Sequence, residues 1–237
     1  MIVNADVKGL ELHTAAFLSR DSVLIKELHD KFDLHTDNQE KFVLPDRKYA
    51  KFFVFRLLFG GTANGFYYDM DFKDVGYNLQ QWQAVVDKFY NKYEGIGLWH
   101  TNLIREAVET GKISMVTGRF YTFKPYSDYR GNIKWPETQI KNYPVQGLGA
   151  DLMVLYRIIL KNLLRNNRLC LMISSVHDSV VVDCPKEDVS FVADCMFKAA
   201  SIVPHMFKEK FGVEWDLPFL VEVGYGKNMK DLIDITH

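Results

Sequence analysis

The sequence has 237 residues, of which 48% are hydrophobic and 25% charged, and its formal net charge is −1. A chain of this length can bury a substantial core as one large domain or two packed subdomains, and its composition excludes disordered and fibrous proteins. The near-zero net charge gives no general attraction for nucleic acid. A nucleic-acid-binding function therefore requires positive charge that is local or supplied by a partner.

The sequence lacks the usual signals of secretion and membrane insertion. Its first residues contain no basic stretch followed by a long apolar run, and no later segment is long and uncharged enough to span a bilayer. The three cysteines, Cys170, Cys184 and Cys195, form no CxxC pair and so indicate neither a disulfide framework nor a zinc site. We expect a soluble protein of the cytoplasm, or of the host-cell cytoplasm if it is viral, with no membrane partner.

The first half of the chain predicts one strand followed by helices. Residues 2–6 form a short apolar run typical of a buried strand, and an amphipathic helical segment follows at residues 10–18, with further helical pattern to about residue 32. Residues 46–59 predict a helix with Pro and Asp at its start and two glycines after its end. Further helical patterns cover residues 79–93 and 97–111.

The second half predicts a mixture of helices and strands. Residues 115–135 are rich in Gly, aromatic and turn residues, which favours turns and short strands. Helical spacing returns at residues 146–165 and 187–211, and residues 218–226 predict a final strand.

Two strand-like runs, residues 169–176 and 179–184, are separated only by His177 and Asp178, which predicts a hairpin with this dipeptide at its turn. Asp6 lies at the end of the first predicted strand. Two aspartates at the ends of neighbouring strands could bridge a pair of Mg²⁺ ions, for which carboxylate oxygens are suitable ligands. The alternative is that both are solvated turn residues, the commoner situation for Asp.

The context of these aspartates resembles a known family. ADVKGLELHTAAFLSRD is similar to motif A of the family A, polymerase I-like DNA polymerases, RKYAKFFVFRLLFGG to motif B, and SSVHDSVVVDC to motif C. The segments DLHTDNQEKF, NYPVQGLGAD and VEVGYGKN occur in the matching order. The resemblance covers residues 3–228, almost the entire chain.

The resemblance implies an α+β fold: a palm, with an antiparallel sheet and flanking helices, and helical fingers. Residues 1–32 would be palm with motif A, residues 33–140 mostly fingers with the motif B helix at about 46–59, and residues 141–237 palm with the motif C hairpin at about 169–184. No thumb or exonuclease domain is expected in this chain. A second polypeptide carrying a thumb and a 3′-5′ exonuclease is the expected partner, as in a split bacteriophage-type enzyme.

The resemblance also implies a chemistry, namely addition of dNTPs to the primer 3′-OH of primer-template DNA. Asp6 and Asp178, with the backbone carbonyl of Val7, would hold two Mg²⁺ ions, with Mn²⁺ as a substitute. Arg47 and Lys51 would bind the triphosphate, and Lys51 would also neutralise charge developing in the transition state.

Other site residues follow from the same resemblance. Phe55 would pack on the nucleotide sugar and Phe59 would lie beside the template base. Arg47, Lys51, Phe55 and Phe59 recur every four residues, which would otherwise indicate a core aromatic stripe with snorkelling cations. Glu11 would be the steric gate against a ribose 2′-OH, or else an ordinary surface glutamate.

Three residues would contact DNA. Asn142 and Gln146 would donate to the minor-groove acceptors present at every base pair, the alternative being a polar cap on the helix that follows. His177 would lie near the primer terminus. Thr138 stands where relatives carry Arg.

Some positions depart from the family pattern. Ser179 replaces the usual Glu, as in related single-subunit RNA polymerases, while Arg56 replaces a Gly and His13 an Arg. A fragment of such an RNA polymerase and a non-catalytic DNA-binding subunit are therefore the alternatives. Glu11, Phe55 and the NYPVQG segment favour a DNA polymerase.

Overall fold

The computed structural model describes residues 1–30 and 33–235. The chain divides into two compact units: the first combines Met1–Leu10 with Gly147–His237, and the second is Glu11–Gln146. These boundaries differ from those expected for palm and fingers at residues 32 and 140. The assignment of palm and fingers therefore stays a prediction.

The first unit contains an antiparallel sheet. Its strands are β1 (Ile2–Val7), β6 (Leu171–Val176), β7 (Ser179–Asp183), β8 (Val221–Gly226) and β9 (Ile233–Ile235), in the spatial order β6-β7-β1-β8-β9. Along β1, Val3, Ala5 and Val7 are buried while the residues between them are half-buried. This alternation is that of a strand with one face on a core.

Two helices belong wholly or partly to this unit. Helix α9 (Val189–Phe211) follows a short 3₁₀ helix (Lys186–Asp188) and buries Met196 and Phe207. Helix α8 (Glu137–Leu164) buries Tyr156, whose hydroxyl donates to the Met196 carbonyl at 3.3 Å. The hydrogen bond satisfies the one polar atom of a fully buried aromatic side chain.

The second unit is mainly helical. Its helices are α1 (Leu10–Ser19), α2 (Ser22–His29), α3 (Leu34–Phe42), α4 (Arg47–Leu58), α5 (Ala63–Tyr68), a 3₁₀ helix (Met70–Val75), α6 (Leu79–Lys92) and α7 (Glu94–Thr110). Two small hairpins follow, β2 (Lys112–Ser114) with β3 (Phe120–Thr122) and β4 (Tyr126–Ser127) with β5 (Ile133–Lys134).

Aromatic side chains form the core of the second unit. The Phe66 ring stacks on Trp82 at 5.1 Å and lies 4.8 Å from Phe53 of α4. Phe42 of α3 and Phe89 of α6 contact Phe53 edge-on at 5.5 and 6.2 Å. Such buried clusters gain both from apolar burial and from ring geometry, so they fix α4 against its neighbours.

A buried carboxylate links two helix starts in this unit. Asp21 is 2% exposed and accepts hydrogen bonds from the backbone N–H groups of Val23 and Leu24 at the start of α2. Its second oxygen accepts from Gly95 at 2.8 Å and Ile96 at 3.3 Å in the first turn of α7. A β-carbon on Gly95 would lie 2.7 Å from the Asp21 α-carbon, so this approach requires glycine. Helix N-termini favour negative charge, and one side chain serves both ends.

The predicted α+β class is confirmed, as are the first strand, the helix at residues 46–59, the hairpin around His177 and the last helix. The amphipathic segment predicted at residues 10–18, with further helical pattern to about residue 32, is observed as two helices, α1 and α2, separated where Arg20 takes a positive φ of 52°. Its predicted end at Phe32 lies outside the described residues. Helix α8 begins at Glu137 rather than at residue 146 and accommodates Pro144. Helices α3 and α5 and strand β9 were not predicted.

Because Asp21 caps both α2 and α7, its removal should destabilise the protein strongly. Asp21→Ala should lower the free energy of unfolding by about 3 kcal/mol, because it leaves four backbone donors of two helices without their charged acceptor. Asn78→Ala removes an exposed capping box from α6 alone and should cost only about 1 kcal/mol. Urea unfolding followed by circular dichroism measures both. Equal losses for the two variants would contradict the double role of Asp21.

Candidate active site

The structure places Asp6 and Asp178 at the same end of two adjacent strands. Strand β1 pairs with β7 in a register that sets Asp6 opposite Ser179, the residue after Asp178. The Val7 N–H donates to the Asp178 carbonyl at 3.0 Å, so the backbone itself joins the two ends. Both aspartates are half-buried. The predicted meeting of two carboxylate-bearing strands thus occurs in this structure.

Further oxygen atoms lie on the same face of the sheet. Asn4, two residues before Asp6, has a buried side-chain oxygen with no hydrogen-bond partner within residues 1–30 and 33–235. Glu222 of β8 lies opposite Asp6 and is ion-paired with Lys8 at 2.9 Å. Two carboxylates, a neighbouring carbonyl and an unsatisfied amide oxygen are hard donors, and they fit a hard divalent cation better than a soft metal. Nevertheless, no group of three or more metal-ligating side chains occurs among the described residues.

The turn between β6 and β7 has an unusual backbone. His177 is exposed and has φ of 52°, a left-handed value that costs free energy for a residue other than glycine. Ser179 donates its hydroxyl to the Val176 carbonyl at 3.0 Å and so closes the turn. Ser179, for which the sequence suggested no role, therefore stabilises the loop that carries Asp178.

The predicted stripe of Arg47, Lys51, Phe55 and Phe59 lies outside the buried face of helix α4. Its buried face consists of other side chains: Ala50, Phe53, Val54, Leu57 and Leu58. Arg47 and Lys51 are exposed, and Phe55 and Phe59 are half-buried. Other residues therefore form the core face of α4, and the role of the stripe stays a prediction. The Lys51 ammonium lies 5.9 Å from the centre of the Phe55 ring.

One residue beside this stripe was missed in the sequence. His35 of α3 is 8% exposed, its ring lies 6.0 Å from that of Phe55, and its Nδ1 has no hydrogen-bond partner in the described part of the chain. Burial and the positive charges of Arg47 and Lys51 lower the pKa of His35 to about 4, so the ring is neutral at pH 7. The only sequence signal was the position of His35 within DLHTDNQEKF.

Asp33 orients Arg47. The guanidinium Nε lies 2.9 Å from one carboxylate oxygen of Asp33 and 3.2 Å from the other. The hydrogen bond from Arg47 lowers the pKa of Asp33 to about 2. Asp33 also caps α3 through the Thr36 N–H, so the same side chain starts that helix and holds a cation of α4.

The structure gives Arg56 a role. Its guanidinium forms ion pairs with Asp69 and, at 2.8 Å, with Asp71, and lies 5.0 Å from the centre of the Phe72 ring. Arg56 therefore links α4 to the start of the 3₁₀ helix that follows α5. His13 is buried in α1, and the structure does not explain why it replaces the family's Arg.

The remaining predicted residues lie on helices of the second unit. Glu11 is half-buried in the first turn of α1. Asn142 and Gln146 lie inside α8, half-buried and exposed respectively. Because α8 begins at Glu137, the interpretation of Asn142 as a helix cap is wrong. Gly60, with φ of 82°, brings the end of α4 against Lys141, whose Cδ would lie 2.7 Å from an added β-carbon.

Comparison with known proteins identifies the family. The sequence profile of DNA polymerase family A matches residues 1–231. The chain therefore belongs to DNA polymerase family A. Among the described residues, no helix is both long enough and apolar enough to cross a membrane.

Individual relatives agree with this assignment. The chain is 25% identical to DNA polymerase I of Aquifex aeolicus over 227 residues, which cover 90% of this chain and 37% of that protein. It is 27% identical to DNA polymerase I of Pseudomonas aeruginosa, covering 96% and 24% of the two chains. It is 23% identical to the DNA polymerase of Bacillus phage SP01, covering 96% and 23%.

A solved structure shows the same fold. The POL domain of Pol1 from M. smegmatis, in complex with DNA primer-template and dNTP, superimposes with a TM-score of 0.78 at 20% identity, covering 95% of this chain and 39% of that one. The chain thus spans well under half the length of the proteins it matches.

The environment of His35 predicts a pH dependence. The folded state keeps His35 neutral down to about pH 4, whereas the unfolded chain takes up a proton below its ordinary value of 6.5. The contribution of His35 to the free energy of unfolding is therefore complete above pH 6.5. It is lost as the pH falls toward 4, by at most about 1.4 kcal/mol per pH unit. Between pH 7 and 4.5 the nucleotide-free protein should lose about 2 kcal/mol more than His35→Gln.

Urea unfolding at a series of pH values measures this difference. His29→Gln changes an exposed histidine at the end of α2 and is the matched control. Parallel pH profiles for the wild type and His35→Gln would contradict the buried, neutral state of His35.

Proposed function

We propose that this chain carries the catalytic region of a DNA polymerase that adds dNTPs to the 3′-OH of a primer, as directed by a template strand. The observation that supports this most is the joining of the Asp6 and Asp178 strand ends by the bond from Val7 to Asp178, within a chain of family A. The structural neighbour, a complex with primer-template and dNTP, supports the same substrates.

In this proposal Asp6, Asp178 and the Val7 carbonyl hold two Mg²⁺ ions, for which Mn²⁺ can substitute. When bound, such a pair lowers the pKa of the attacking hydroxyl and stabilises the leaving oxygen. The protein contributes a fixed spacing of the two chain segments, because Asp6 lies on a hydrogen-bonded strand and Asp178 lies in a closed turn whose carbonyl accepts from the Val7 N–H.

The α4 stripe forms the nucleotide site. Arg47 and Lys51 neutralise the triphosphate, and Asp33 keeps the Arg47 guanidinium in one orientation until phosphate oxygens replace it. Phe55 packs on the deoxyribose, supported from behind by His35. Phe59, at the end of α4, stacks beside the template base.

Three residues would contact the primer-template. Asn142 and Gln146 donate to minor-groove acceptors from the same side of α8, since residues four apart share a helix face. His177 lies beside the primer terminus, held outward by the closed turn. Glu11 occupies the space that a ribose 2′-OH would need.

A polymerase for ribonucleotides was the alternative suggested by Ser179. The bond from Ser179 to the Val176 carbonyl accounts for this residue locally and weakens that argument. Glu11, Phe55 and Gln146 support deoxynucleotides as the substrate.

The chain is assigned as palm and fingers. The longer relatives carry most of their length outside the matched region. We therefore propose that thumb and exonuclease functions come from segments beyond the matched region, on the same polypeptide or on a second one. Adding those segments should raise the affinity of the chain for primer-template, because backbone contacts supply most non-specific binding.

The two aspartates provide the central test. Asp6→Asn and Asp178→Asn should each reduce primer extension with Mg²⁺ by at least a thousandfold, because each removes an anionic ligand while conserving size. Asp183→Asn, the same change at the opposite end of β7, should extend normally. Near-normal extension by either active-site variant would contradict the assignment of Asp6 and Asp178 as metal ligands.

The steric role of Glu11 is tested with both nucleotide types. Glu11→Ala should open space beside the sugar and raise the ratio of rNTP to dNTP incorporation by roughly tenfold or more, which is the order expected when one steric element of a pocket is removed. Glu11→Gln keeps the volume and should discriminate like the wild type. The ratio of kcat/KM values measures the effect, and an unchanged ratio in Glu11→Ala would place the gate elsewhere.

A further inference from the structure

One edge of the five-stranded sheet is open. Strand β6 is the outermost strand, and in the described part of the chain it pairs only with β7. Alternate residues at and just before its start are large apolar side chains that are more than half exposed, namely Leu169, Leu171 and Ile173. Such an edge presents unpaired backbone N–H and C=O groups beside apolar side chains, so it can accept another strand.

The features that usually protect such an edge are scarce in β6. Its sequence, LMISSV, contains no charged residue and no proline, and its one irregularity is a shift of register between Met172 and Ser174. Strand β9, at the opposite edge, is shorter and carries Asp234. Of these two edges, β6 is therefore the more open to strand addition.

Positive charge lies beside the start of β6. The end of α8, the loop after it and the first residues of β6 enclose a groove of about 440 Å³. Its cations are Lys161, Arg165 and Arg168, which are all exposed, and within residues 1–30 and 33–235 none of them forms an ion pair. The C-terminal end of a helix favours cations, but this does not account for the exposed apolar strand next to them.

The lining of the groove favours a polypeptide over other classes of ligand. Apart from the three cations, the described residues that line it are Leu164, Asn167, Cys170, Leu171 and Met172. None of these is an aromatic residue on which the bases of single-stranded nucleic acid could stack. A lipid layer would leave the backbone groups of the β6 edge without partners. An extended polypeptide satisfies those groups and also places side chains against the groove.

The direction of the sheet indicates where the charge of that polypeptide lies. The strand pairs from β6 to β9 are all antiparallel. A strand added in the same way would run opposite to β6 and end beside Leu171 and the cations. A second copy of β6 would bring Val176 and His177 there, neither of which is acidic. Charge complementarity therefore favours a partner whose strand is followed by acidic residues.

We propose that the edge of β6 binds an extended segment of a partner protein, in which alternating apolar residues pair with β6 and the acidic residues after them contact Lys161, Arg165 and Arg168. The whole surface lies in the first unit. The proposal goes beyond the catalytic function and does not depend on it, because peptide binding is measured without DNA or nucleotide.

The test uses the full chain and the peptide fluorescein-Thr-Val-Thr-Val-Thr-Val-Asp-Asp-Asp. Fluorescence anisotropy should show saturable binding with a Kd below about 1 mM, the weak end of specific association. The same peptide with three Lys in place of the three Asp should bind roughly tenfold more weakly, because it meets the cations with like charge. Absence of saturable binding by the Asp peptide would overturn the proposal.

Variants of the protein locate the charged contact. Lys161→Gln/Arg165→Gln/Arg168→Gln should weaken binding of the Asp peptide by roughly tenfold and reduce its dependence on salt. Lys161→Arg/Arg165→Lys/Arg168→Lys keeps the charge and should restore both. Lys88→Gln/Arg105→Gln/Lys230→Gln removes the same charge at exposed positions outside the groove and should alter neither. Thermal melting checks that each variant is folded. Equal weakening by the two glutamine variants would contradict the assigned site.

Strand addition is tested on the backbone of the peptide. Neighbouring residues of a strand direct their N–H groups to opposite sides, so N-methylation of the three Val or of the three Thr blocks one edge at a time. One methylated peptide should lose binding and the other should keep it. A similar loss with both would rule out pairing with β6.

Two further measurements identify other occupants. A dimer, detected by analytical ultracentrifugation, that dissociates in Leu171→Ser/Ile173→Ser would assign the edge to a second copy. Binding to vesicles containing phosphatidylserine that is lost in the glutamine variant, together with no peptide binding, would assign the cations to a membrane surface. Either result would replace the partner segment proposed here.

Discussion

The backbone hydrogen bond from Val7 to Asp178 is the constraint on which the candidate active site depends. It completes the β1–β7 pairing at the end where both strands carry an aspartate. Like charges on neighbouring strands repel, so side chains alone would drive these ends apart. The paired backbone from Ile2 to Asp6 and the buried valines beneath it offset that repulsion. The backbone therefore holds together the two chain segments that carry Asp6 and Asp178.

In the second unit, helix α4 keeps a basic face exposed to solvent. Helix α4 buries Phe53 in an aromatic cluster on one side. His100 accepts a hydrogen bond from Tyr90 at 3.3 Å and donates to the Leu58 carbonyl at 3.2 Å, which secures the end of α4. Burial lowers the pKa of His100 to about 3 and so keeps its ring neutral. With its core side and its end held in this way, α4 can leave Arg47 and Lys51 exposed without losing its position.

Positive charge is unevenly distributed along the chain. A net charge of −1 suggests weak phosphate binding when averaged over the chain, yet residues 112–134 contain five basic residues and one acidic residue, and two of these lysines, Lys124 and Lys134, line one cleft. Phosphate recognition depends on local potential, which decays over about 10 Å in ordinary salt, rather than on the total. A nearly neutral protein can therefore carry a strongly positive binding surface.

Much of this protein was determined by local sequence. The short apolar run at residues 2–6 predicted β1, the His177-Asp178 dipeptide between two apolar runs predicted the hairpin, and Pro45 and Asp46 with the glycines after Phe59 predicted α4. These signals lie within a few residues of one another, so propensity and periodicity are enough to read them. The order of the three motifs indicated the family for the same reason. Tertiary structure decided what depends on residues distant in sequence. It made Asp21 a cap of α7 as well as of α2, and it carried α8 through Pro144 to an earlier start. It placed His35 beside Phe55, gave Arg56 its partners Asp69 and Asp71, and brought Lys124 and Lys134 to one cleft. Burial and electrostatic partnership are set by packing between elements, and no local pattern encodes them.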